Sequence, residues 1–259
     1  MGTRSLICIF YKGRFMVAQY TQFDGYLEGQ GWSILKFLVV HGNIDRLKAG
    51  MEFVSIIDRE RLTQLVSGHG YTTSDHSGQM VCECGAPQPF SGPGTCVPPS
   101  LSRMTGANIL NMIASASDQS YLPVTLGLEF VNDGLFCEFA YCVDLDADVF
   151  EIFAGCVEKP KKTSSNDTSK EELLIGQCRF LEVGAETDTV PKLLMSYPFD
   201  HLPGNLNDMV NQVTTKNPDM FIKDDEDEPK SPTKKDEEDE KSGEVKDSEE
   251  KHDETETTS

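Results

Sequence analysis

Arg4-Ser5-Leu6-Ile7-Cys8-Ile9-Phe10-Tyr11-Lys12-Gly13-Arg14-Phe15-Met16-Val17-Ala18-Gln19-Tyr20 reads as two strand-like runs around a two-residue turn. Ile, Phe, Val and Tyr suit a pleated, half-buried surface. Lys12-Gly13 is short enough to join neighbouring antiparallel strands directly. The expectation is a β-hairpin at the start of the fold. Next comes Gln22-Phe23-Asp24-Gly25-Tyr26-Leu27-Glu28-Gly29-Gln30-Gly31-Trp32, three glycines and a central carboxylate where a sheet hands over to a helix. The helix is expected over Trp32 to His41, with Ile34, Leu35, Phe37 and Leu38 at helical spacing, Ser33 near its start and Gly42 near its end. Asn43 to Ala49 predicts a second short helix with Asn43 as N-cap, and Arg59 to Val66 a third.

Further along, Gly68 to Ser102 carries Pro87, Pro89, Pro93, Pro98 and Pro99 among glycines and serines, the composition of a loop insertion. Thr105 to Ser115 places Ile109, Leu110 and Ile113 on one helical face. Val124 to Val131 and Leu135 to Val143 flank Asn132-Asp133-Gly134, the turn chemistry of a second hairpin. Asp144 to Asp148 predicts another turn and Val149 to Cys156 the next strand, so these three runs read as an antiparallel meander. Lys159 to Glu172 is a polar loop, Gln177 to Val183 a further strand, and Leu206 to Val213 a last short helix. The fold class expected is α+β. One domain over residues 1–222 would hold an antiparallel sheet, the N-terminal hairpin plus the central meander, covered by helices. Its loop insertions fall near 68–102 and 158–175.

The chain has 259 residues and a net charge of −20. Lys223 to Ser259 holds 17 acidic and 7 basic residues, so half of that charge lies in the last 37 positions. Val245 is the only large apolar residue there. Such a segment buries too little surface to offset its ordering entropy, which predicts a disordered acidic tail. Its chemistry points to a basic protein as partner. Ser231-Pro232-Thr233-Lys234 within it has the form of a proline-directed phosphorylation site. A net acidic chain repels phosphate backbones, so nucleic acid is not an expected partner. No apolar run reaches 18 residues, so no membrane span is expected. Met1-Gly2 opens like a myristoylation signal, but position 6 is Leu rather than Ser or Thr. Eight cysteines are present. Cys8, Cys137, Cys142, Cys156 and Cys178 sit in or beside apolar runs, as buried thiols do. With no secretory h-region at the N-terminus, a reducing cytoplasm or nucleus is the expected compartment.

Several residue groups invite chemical readings. The Gly-rich loop could cradle an anion or polar ligand, with Gly25, Gly29 and Gly31 admitting close backbone approach, Tyr26 beside them, and Asp24 as acceptor or general base. Arg4 and Gln19, on flanking strands, are the next candidates for that site. Against this, the spacing matches no nucleotide fingerprint, and Asp24 and Glu28 repel phosphate. Asp144-Leu145-Asp146-Ala147-Asp148 resembles a calcium run, but Val149 and Gly155 stand where an EF-hand needs Gly and Glu, so a strand-to-strand turn is expected. His69, His76, Cys82, Cys84 and Cys96 have the residue types of a zinc site without its usual spacing. Cys8, His41 and Asp24 have the types of a nucleophile set. An N-terminal nucleophile would need processing beyond Met1, since Gly2 follows it. No metal and no cofactor are expected.

Met1-Gly2-Thr3-Arg4, Val17-Ala18-Gln19-Tyr20 and Gln22 to Gly31 resemble the opening of a group of uncharacterised, mainly fungal proteins. Those carry Val-Ala-Gln-Tyr followed by Gln-x-Asp-Gly-Tyr-Pro-x-Gly-Gln-Gly. Ser102-Arg103-Met104-Thr105-Gly106-Ala107 with Leu110, and Leu135 to Tyr141 leading into Val143-Asp144-Leu145-Asp146, extend the resemblance over about residues 1–157. Leu27 stands where the group has proline, which loosens the loop in the unfolded chain. The resemblance implies no established activity. The leading expectation is a non-catalytic intracellular domain that binds a partner protein. The alternative is a small-ligand-binding or amide-hydrolysing enzyme with an N-terminal-nucleophile-like layout, using the Asp24 loop.

Overall fold

Strand β1 (Ser5–Tyr11) and strand β2 (Arg14–Thr21) pair antiparallel around Lys12-Gly13. Both turn residues take positive φ, +54° and +73°, as a tight hairpin with right-handed twist requires. Lys12 tolerates this because the Asp146 carboxylate accepts both turn N–H groups, from Lys12 at 3.0 Å and Gly13 at 2.8 Å. The computed structural model describes residues 2–67, 71–73, 80–82, 98–158, 179–181, 183 and 189–221. The acidic tail and most of the two expected insertions lie outside them.

A single π-helical turn, Leu27–Gly31, leads into α1 (Trp32–Leu38), followed by α2 (Asn43–Gly50), β3 (Val54–Ile56) and α3 (Arg59–Ser67). Asn43 does not cap α2. Gly42 takes that place with φ +79°, and the buried Asn43 amide donates to the Phe37 carbonyl at 2.8 Å. Short strands β4 (Tyr71–Thr73) and β5 (Met80–Cys82) pair with each other. Helix α4 (Asn108–Ala114) precedes β6 (Leu122–Val124), which pairs in parallel with β3. Then come β7 (Phe139–Asp144), β8 (Val149–Glu158), β9 (Thr189–Pro198) and α5 (Leu206–Lys216), the last capped by Asn205 accepting from the Asp208 N–H.

The main sheet has the order β2-β1-β7-β8-β9. The α+β class holds, and the pairs β1–β2, β7–β8 and β8–β9 are antiparallel. The join between hairpin and meander corrects the all-antiparallel expectation: β1 and β7 run parallel, Cys8 beside Cys142. The expected hairpin about Asn132-Asp133-Gly134 does not form. Leu128–Asn132 is a short 3-10 helix, and the Asp133 carboxylate accepts from the Leu135 and Phe136 N–H groups, bonding that ends any ladder there. Leu126 makes one isolated parallel bridge to Ala18 at the β2 edge, and Leu128 and Phe130 pack on the sheet without extending it. Of the strand expected over 177–183, Arg179 to Leu181 form a turn and residues 177, 178 and 182 lie outside the described residues; the last sheet strand among the described residues is β9.

Each sheet face is covered. Ile7, Ile9, Val17, Tyr141, Val143, Phe150, Ile152 and Leu194 meet residues of α1, α2, α4 and α5, such as Leu35, Leu47, Ile113 and Met209. Leu6, Cys8, Ala140, Cys142 and Phe153 meet Val131, Cys137 and Phe180 on the other face. No helix among the described residues is long and apolar enough to cross a membrane.

Candidate functional site

The Gly-rich loop sits where β2 ends, and its glycines are filled by protein. A Cβ on Gly25 would lie 2.7 Å from the Arg4 carbonyl carbon, and one on Gly29 2.1 Å from the Asp24 carbonyl oxygen. One on Gly31 would press within 3.0 Å of the Tyr141 ring. The Tyr141 hydroxyl, fully buried, donates to the Gly25 carbonyl at 2.8 Å. The N–H groups of Gly25, Gly29, Gln30 and Gly31, which an anion at the glycines would need, are spent internally. Gly25 donates to Thr3, Gln30 to Asp24, and Gly29 and Gly31 to Tyr26.

A second strip, residues 102–107, latches the loop from outside. Gln19 donates its amide to the Ser102 carbonyl at 2.8 Å, and the Gln22 N–H donates to Arg103 at 3.1 Å. Gln30 bridges both sides, donating to the Phe23 carbonyl and accepting from the Ala107 N–H. Gly106, at φ +50°, leaves room for that amide. The strip 102–107 thus packs on the end of β2 and the Gly-rich loop through Gln19, Gln22 and Gln30.

Of the expected site residues, Asp24 is exposed at φ +55°, with the Tyr26 hydroxyl 3.4 Å from its carboxylate. Arg4 lays its backbone against Gly25, but its guanidinium stacks over Phe136, 4.6 Å from the ring centroid. No ion pair joins it to Asp24 among the described residues. Gln19 is 5% exposed and turned to Ser102. Cys8, His41 and Asp24 are not brought together. Cys8 is buried on the face covered by Phe180, where burial pushes its thiol far above the ordinary range, while His41 is exposed beyond the end of α1.

The aspartate run is a turn, as expected. Asp144 accepts from the Asp146 and Ala147 N–H groups, Asp146 holds the β1–β2 turn, and Asp148 pairs with Lys48 at 2.8 Å. His69, His76, Cys84 and Cys96 lie outside the described residues. No group of three His, Cys, Asp or Glu among the described residues is placed to hold a metal.

Sequence reasoning missed a buried ion cluster. Arg179 donates to Asp144 at 2.5 Å and to Glu151 at 2.6 Å, with side-chain exposures of 5%, 4% and 2% respectively. Its guanidinium also lies over Phe10. The signal was there: Glu151 inside an apolar strand needs a partner once both faces are covered. The cluster is buried and its charges are paired with one another, which suits structure rather than a reaction.

What remains open is a rim. Phe23 and Tyr26 on one side, and Leu135 and Phe136 on the other, flank residues 2–4, with Met104 on the latch strip. All five are 40–78% exposed. Comparison with protein-family models, with curated proteins and with solved structures finds no match to this chain.

Proposed function

We propose that residues 1–222 form a non-catalytic intracellular domain that binds a partner protein through the rim around residues 2–4. The observation that carries this is the gathering of four exposed apolar side chains, Phe23, Tyr26, Leu135 and Phe136, around residues 2–4. Exposed apolar groups rimmed by polar residues are characteristic of docking surfaces, and aromatic and arginine side chains dominate binding energies there. Arg4 on Phe136 is such a pair, and Cys8 and Cys142 are buried thiols outside any disulfide, which supports a reducing compartment. A photo-crosslinking residue at Leu135 is expected to trap one defined protein in cells. Phe23→Ser with Tyr26→Ser should weaken that capture at least tenfold, since each lost aromatic anchor is worth about 1–2 kcal/mol. Equal crosslinking from Leu135 and from a site far from the rim, such as Lys216, would reject the reading.

A second reading, a small-ligand or amide-hydrolysing site on the Asp24 loop, is favoured by one observation. Ser5 Oγ, fully buried beside Gly25, has no hydrogen-bond partner. Under that reading, some member of a panel of nucleotides, amino acids, metals and small amides raises Tm by about 5–10 °C at roughly 100 times its Kd. Asp24→Asn should remove the shift. A shift that survives Asp24→Asn places the ligand elsewhere. The acidic stretch Asp224–Glu256 is a further proposed contact, for basic proteins.

A further inference from the structure

A concavity of about 660 Å³ is lined by none of the Gly-rich loop residues. Its walls are the α1–α2 connection, the first turns of α2, the β7–β8 turn and the end of β9. The floor is apolar: Leu38 and Ile44 from the helices, Pro198 and Phe199 from the strand end. Val40 lines it too, and Val39 and Val40 are both exposed. Above the floor stand Asp45, Asp148 and Asp200, against Lys48 and His41. Lys48 is already neutralised by Asp148. Asp45 makes no ion pair among the described residues, and Asp200 faces only His201, at 3.7 Å.

We infer that this groove binds an extended segment of a partner protein in which Lys or Arg alternates with apolar residues. A long basic side chain lays its aliphatic stem on Phe199 or Ile44 and carries its charge to Asp45 or Asp200. A purely apolar partner would leave two carboxylates desolvated and unpaired, and an acidic one would meet like charge. A second copy of this chain fits poorly, because it brings the same −20 charge. That charge also steers a basic partner toward the protein before contact. The groove shares no residue with the rim, so either surface can fail alone.

The test uses the full chain and a ten-residue peptide with Lys at alternate positions and Val or Leu between, beside the same peptide with every Lys acetylated. At physiological salt the Lys peptide should shift the methyl resonances of Leu38, Val39, Val40 and Ile44, and the acetylated one should not. Asp45→Asn with Asp200→Asn should weaken binding about five- to tenfold and leave Tm unchanged, since both carboxylates are exposed. Converting Asp224, Asp225, Asp227, Glu226 and Glu228 to Asn and Gln should change affinity less than twofold. Unchanged affinity in the groove variant, loss through the tail variant alone, or methyl shifts outside the groove would each overturn the inference. Surviving Leu135 crosslinks beside such a result would leave the rim intact.

Discussion

Arg179→Ala is expected to destabilise the domain by about 3–5 kcal/mol, because it strands two buried carboxylates without their cation. For a domain of this size that lowers Tm by roughly 6–20 °C. The loss arises from Asp144 and Glu151, each almost wholly covered and each bonded to Arg179. Asp144 keeps its two backbone N–H donors at the turn, whereas Glu151 bonds to Arg179 alone among the described residues and is left worst off. Urea unfolding of the variant beside wild type measures the effect. A loss below about 1 kcal/mol would mean that the cluster is solvated and not buried as described.

The cluster also sets a pH dependence with a definite sign. Burial raises the Glu151 carboxyl above its ordinary range, and Arg179 only partly opposes this. An acid raised in the folded state contributes stability that is fully present below its unfolded value, near 4.3, and lost as pH rises through its folded value. Glu151→Gln keeps an acceptor for Arg179 and removes the titration. Its stability relative to wild type should therefore grow as pH rises from about 4 toward neutrality. A difference that shrinks over that interval would reverse the assignment.

Gly50→Ala is the second large effect, and its sign is the test. In an ordinary helix the change stabilises by about 1 kcal/mol. Here the new Cβ would fall within 1.8 Å of the Ile113 carbonyl oxygen, backbone that cannot step aside. Helices α2 and α4 must separate, opening the core around Leu47, Ile109 and Ile113. The expected cost is about 3 kcal/mol, toward the upper end for overpacking. Chemical denaturation reads it directly, and a neutral or stabilised variant would show that the two helices do not cross at Gly50.

The parts of this fold legible in the sequence are those fixed by neighbours. Lys12-Gly13 between apolar runs defines the first hairpin, and the Asp144–Asp148 turn defines β7–β8. The parallel β1–β7 pair was not legible, because nothing local to Cys8 names Cys142 as its neighbour. Leu126, Leu128 and Phe130 alternate like a strand, yet the same alternation serves a segment laid across a sheet face. Strand β9 carries Pro191 and Pro198, which argue against a central strand but are tolerated at the sheet edge it occupies. At the Gly-rich loop the sequence located the crowded junction. It did not distinguish glycines that admit a ligand from glycines that admit Arg4, Asp24 and Tyr141.

The parallel pairing of β1 with β7 has a consequence during synthesis. Ser5–Thr21 leaves the ribosome before its partner Phe139–Asp144, which follows about 120 residues later. At about 5–20 residues per second the hairpin waits roughly 6–24 s with one edge of β1 unpaired. An open apolar strand edge is a template for pairing with another chain. The nascent chain is therefore the more aggregation-prone species, and its yield should depend on chaperones that hold this hairpin until β7 can pair with it.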